Sequence, residues 1–145
     1  MTVRFRNVDA SPTDDVTTWP YEALVVAIER GLVDDWQPVF AELRRNPWGA
    51  VARRVERIAA ATDDVAAGRL FTLALCRARA DAEGADRAEV AARVRAAIAA
   101  SGLTASAFAD EVGTSASRMS TYATGRVVPS AAMLVRIERR GHAGH

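Results

Sequence analysis

Residues Gly102 to Ser130 read GLTASAFADEVGTSASRMSTYATGRVVPS, and the spacing of their residue types decides the fold. Thr104 is a good N-cap, because its hydroxyl can satisfy an orphan amide of a first helical turn. Phe108, Ala109 and Val112 then recur at helical spacing and predict one short helix with a buried face. Gly113 stands where a left-handed residue would end that helix without a Cβ penalty. Ser115 is a second N-cap. Met119 and Tyr122 supply the apolar face of a second helix, and Gly125 ends it. Pro129-Ser130 starts another helix, with Met133, Leu134 and Ile137 as its apolar stripe.

This order is what a helix-turn-helix requires. A small residue, Ala109, lies at the crossing, Gly113 in the turn, and Met119 and Tyr122 under the second helix, which Gly125 closes. In that architecture the first residues of the second helix meet base edges in the major groove. The expected base-reading positions are Ala116, Ser117 and Arg118, with Thr121 one turn further on. Arg118 is the strongest reader, since a guanidinium can bond guanine O6 and N7 together. Ala116 offers apolar contact only. Thr104, Ser115 and Thr124 lie at helix ends beside the expected phosphate track, and Arg126 is placed to grip phosphate.

The run from Ser115 to Ser130 also resembles the Xre family, the lambda-repressor-like regulators. Gly113, Ser115, Ser117, Met119, Ser120, Tyr122, Gly125, Pro129 and Ser130 stand where that family has its usual residues. The resemblance covers about residues 88–140. It implies sequence-specific double-stranded DNA binding, with Ala116, Ser117 and Thr121 facing bases. The chain departs from the family at Ala123, where Glu is frequent; the resemblance implies that this weakens an intradomain contact without touching the reading surface.

The surrounding composition agrees with a helical chain. Of 145 residues, half are hydrophobic, and all 19 basic residues are Arg. Ala and Arg favour helix, so the expected fold class is all-α. The net charge of +1 conceals an asymmetry. Residues 1–86 carry 11 Arg and 14 acids, residues 87–145 eight Arg and four acids. The positive part coincides with the helix-turn-helix, as suits a phosphate-facing module. The acidic part suits protein or solvent better than DNA.

Toward the amino terminus, Val3 to Val8 alternates apolar and basic residues and predicts a short strand or extended arm. Trp19-Pro20 opens a helix carrying Leu24, Val25 and Ile28, which Gly31 ends. Asp34 or Asp35 caps the next, with Trp36, Val39, Phe40 and Leu43 buried, until Asn46-Pro47 breaks it. Trp48 begins a third helix with Val51, Val55 and Ile58. Asp63 or Asp64 caps a fourth with Leu70, Phe71, Ala74 and Leu75, which Gly84 interrupts or weakens. Val90, Val94 and Ile98 mark the helix that opens the DNA-binding domain. The expected domains are 1–84 (helical), 86–140 (helix-turn-helix) and a flexible tail at 141–145. Trp19, Trp36 and Trp48 are read as core residues, and Cys76 as a buried thiol.

No catalytic chemistry is legible. The Asp pairs 14–15, 34–35 and 63–64 each precede a helical pattern, where carboxylates cap amides. His142 and His145 lack thiolate or carboxylate companions, and no phosphate loop or nucleophile elbow is present. The expectation is a non-enzymatic cytoplasmic protein with no metal or cofactor. Its partners would be operator DNA and a second copy of the chain. Residues 1–84 would dimerise or hold another protein. The order of modules, DNA-binding domain last, also resembles antitoxins that neutralise a toxin through their first domain and repress their own operon.

Overall fold

The computed structural model describes residues 4–6 and 8–144. Among them the regular structure is entirely helical: a 3₁₀ turn at Val16–Thr18, then α1 (Tyr21–Arg30), α2 (Val33–Arg45), α3 (Ala50–Ala61), α4 (Val65–Ser101), α5 (Ala105–Val112), α6 (Ala116–Ala123) and α7 (Ala131–His142). The chain divides into two compact units, Met1–Ala82 and Glu83–His145. Helix α4 contributes to both.

In the first unit, α1, α2, α3 and the first part of α4 close around Trp19, Leu24, Ile28, Val39, Leu43, Val55 and Phe71, all almost fully buried. The aromatic rings set its geometry. Phe40 stacks on Phe71 at 4.9 Å, and Trp36 meets Phe71 edge-on at 5.4 Å. Buried indole nitrogens need acceptors. Trp19 donates to the Asp14 carbonyl at 3.1 Å, and Trp36 to the Ala27 carbonyl at 2.8 Å. Asp64 accepts from the Ala67 amide at 3.0 Å and so caps α4. Asp35 acts one turn inside α2, accepting from the Leu32 amide at 2.8 Å, so Leu32 and not an Asp is the N-cap.

Several expectations are corrected. No strand forms among the described residues: Arg4 to Arg6 is irregular, and Val3 lies outside them. A strand needs a partner ladder, and an all-helical surround offers none; Phe5 packs edge-on against Trp19 at 5.1 Å instead. Gly84 does not interrupt α4. One Gly costs a helix about 1 kcal/mol, less than the surrounding Ala, Glu and Arg supply. Helix α3 begins at Ala50 behind a Gly49 cap, so Trp48 precedes it and is exposed. Leu70 and Cys76 are exposed as well. The buried stripe of α4 is Ala67, Phe71, Leu75 and Ala78, and both residues stand one position off it.

The second unit is built on Val94, Ala97, Phe108, Ala109, Val112, Met119, Tyr122 and Ile137. The tail expected at 141–145 is partly helix. Helix α7 continues to His142, and Gly141 is buried against α4. Met133 and Leu134 are half-buried; Ile137 is the fully buried member of their stripe. His145 lies outside the described residues.

Candidate nucleic-acid interface

The candidate site rests on how α5 ends and α6 begins. The Thr104 hydroxyl accepts from the Ala107 amide at 3.1 Å and starts α5, which buries Phe108, Ala109 and Val112. At its far end Gly113 is left-handed, with φ +79°. The Gly113 amide donates to the Asp110 carbonyl at 3.2 Å and the Thr114 amide to the Ala109 carbonyl at 3.0 Å. This paired closure satisfies carbonyls that the helix end would leave orphaned. A Cβ at Gly113 would meet nothing closer than the Arg136 guanidinium at 3.6 Å, so the backbone angle, not space, selects glycine.

Two residues later the Ser115 hydroxyl accepts from the Arg118 amide at 3.1 Å and starts α6. Met119 and Tyr122 face inward and are buried. The wheel of α6 therefore turns Ala116, Ser117 and Arg118 outward, and all three are exposed. Thr121 is half-buried, and its hydroxyl donates to the Arg118 carbonyl at 2.6 Å. Its proton is engaged, so it can meet a ligand only as an acceptor. Thr124 is exposed and similarly engaged, donating to the Ser120 carbonyl at 3.0 Å. Gly125 closes α6 with φ +77°, and Arg126 follows it, exposed.

The arginines of this unit divide into two groups, a division the sequence did not reveal. Arg95 donates to the Ala123 carbonyl at 2.7 Å and Arg136 to the Val112 carbonyl at 3.1 Å, so each caps the end of a short helix. Arg93 pairs with Glu138 at 2.7 Å, and Arg140 pairs with Glu111. That last pair holds the Glu111 carboxyl below its ordinary pKa, chiefly through the hydrogen bond from Arg140, and raises that of Arg140. Among the described residues, Arg87, Arg118, Arg126 and Arg139 have no hydrogen-bond or ion-pair partner for their guanidinium groups.

The residues expected to meet DNA, and those expected to support them, fall on or beside α5, α6 and the turns that bound them. Ala109, Met119 and Tyr122 are buried supports, and Gly113 and Gly125 are left-handed turn residues at or near the surface; Thr104, Ser115, Ala116, Ser117, Arg118, Thr124 and Arg126 are exposed, and Thr121 is half so. Among the described residues no group of three or more His, Cys, Asp or Glu could hold a metal ion. No helix among them is long and apolar enough to cross a membrane. No family model, no curated protein and no solved structure matches this chain.

Proposed function

We propose that residues 83–145 bind double-stranded DNA as a helix-turn-helix module, with α6 in the major groove, and that the protein represses transcription at a palindromic operator in the cytoplasm. One observation carries the reading: Met119 and Tyr122 fix the inner face of α6, while its capped amino-terminal end presents Ala116, Ser117 and an unpartnered Arg118. An exposed guanidinium with no protein acceptor is free to read guanine. Arg126, equally unpartnered, lies one turn past the helix and suits a phosphate.

A single module of this kind buries roughly 600–1,000 Å² on DNA, too little for tight specific binding, so a homodimer on half-sites about 34 Å apart is the expected form. Selection of bound duplexes from a random library tests the whole reading. An enriched palindrome, bound with steep salt dependence, is expected. No enrichment together with a flat salt response would overturn it.

A second reading has its own support. The first unit exposes Val65, Leu70 and Leu73 on α4, apolar side chains that a partner protein would cover. An antitoxin would cover them with its toxin. Co-expression with the product of the adjacent gene separates the two: a stable complex that loses binding when Leu73 becomes Asp favours the antitoxin.

A further inference from the structure

Arg87 was not singled out in the sequence, and the second unit gives it a position the proposed DNA reading does not yet use. The inward stripe of α4 in this unit is Ala91, Val94 and Ala97. Arg87 continues that stripe one turn toward the amino terminus, beyond the core, and is exposed. The end of α6 lies against this part of α4. A Cβ at Gly125 would lie 3.5 Å from the Ala91 Cβ and 3.8 Å from the Arg87 carbonyl oxygen. One turn further along α4, Arg95 donates to the Ala123 carbonyl. The turn after α6 is therefore held across α4 with Arg87 beside it.

At that turn Ser120, Thr121, Thr124, Gly125 and Arg126 line an open depression of about 580 Å³. The Thr121 and Thr124 hydroxyls donate to helix carbonyls, whereas the Ser120 hydroxyl has no partner. Arg126 lines this depression and the Arg87 backbone abuts the turn beside it; both side chains are exposed, and among the described residues neither forms an ion pair with a protein acid. Glu83 stands four residues before Arg87 and Asp86 next to it, yet neither forms an ion pair with it. Two exposed cations carried on adjoining backbone segments without a counter-ion attract an anion.

We propose that Arg87 and Arg126 together clamp a backbone phosphate of the DNA duplex, fixing α6 in the groove without reading sequence. This rests on the DNA-binding reading and adds a contact from outside the two motif helices. Such a contact contributes to affinity through release of condensed counter-ions and appears equally on every sequence.

The test is a salt titration of duplex binding by fluorescence anisotropy, with the full chain on a library-selected duplex and on a scrambled one. Arg87→Ala is expected to lower the slope of log K against log salt by about 1 and to weaken both duplexes equally, by roughly threefold to tenfold at low salt. Arg57→Ala, an exposed arginine of the first unit, is expected to leave the slope unchanged and controls for loss of one charge. Because Arg87 is exposed and unpartnered, the thermal melt of Arg87→Ala should match that of the parent. An unchanged slope and affinity in Arg87→Ala would overturn the clamp while leaving the DNA reading intact. A loss confined to the selected duplex would also overturn it, by making Arg87 a base reader. If the parent protein itself shows no salt-dependent duplex binding, the clamp falls together with the reading beneath it.

Discussion

Two glycines inside helices should respond to alanine with opposite signs, and the structure gives the reason. At Gly141, near the end of α7, an added Cβ would lie 2.8 Å from both the Cα and Cβ of Ala97 and 3.0 Å from its carbonyl oxygen. Carbon atoms in comfortable contact stand about 3.5–4.0 Å apart. Two of the three obstructing atoms are backbone, which cannot rotate aside, so the end of α7 must lift from α4. Overpacking of this kind costs about 1–3 kcal/mol, against a helix-propensity gain for alanine of at most about 1 kcal/mol. The net effect of Gly141→Ala should be a loss of about 1–2 kcal/mol. At Gly84, inside α4, nothing lies within 4 Å of the added carbon, so only the propensity gain remains and Gly84→Ala should stabilise by about 0.5–1 kcal/mol. In a domain of this size each kcal/mol moves the melting temperature by roughly 4–8 °C, well within reach of calorimetry. Removing the Ala97 methyl as well should restore little, because the Cα and carbonyl of Ala97 stay in place. A Gly141→Ala protein that melts at or above the parent temperature would refute the close crossing of α4 and α7.

Two further outcomes follow. Arg118→Ala should cost about 1–3 kcal/mol on the selected site and relax preference at one base position; an unchanged ratio of specific to nonspecific affinity in a binding titration would remove Arg118 from the reading surface. The Glu111–Arg140 pair should make the second unit acid-sensitive. The carboxylate pKa is depressed in the folded protein by the hydrogen bond from Arg140, so the stabilisation is present above the ordinary value of 4.5 and disappears as pH falls through the lower folded value. In melts taken across that range the gap between the parent and Glu111→Gln should close toward acid. A gap that widens would contradict the assignment. The effect should be small, because both partners are partly exposed.

The sequence by itself determined the helical class and the local grammar of the candidate site. Thr104, Ser115 and Ser130 cap helices as their chemistry dictates, Gly113 and Gly125 take the left-handed angle, and Phe108, Val112, Met119 and Tyr122 are buried at the spacing that named them. These features act over three to five residues, so neighbours along the chain suffice to specify them. Only the tertiary structure decided the rest. Whether Leu70 or Cys76 is buried depends on how α4 is rotated against its partners, which periodicity does not resolve, and Trp48 is exposed because α3 begins after it. The alternating segment near Phe5 could be a strand only beside another strand. Which arginines are engaged depends on carbonyls and acids far away in sequence: Arg95 finds Ala123, Arg136 finds Val112 and Arg140 finds Glu111. Composition counts eight equivalent cations in residues 87–145. Packing engages four of them in holding helices together and leaves Arg87, Arg118, Arg126 and Arg139 open to a ligand, because a charge is available only where no nearer protein acceptor satisfies it.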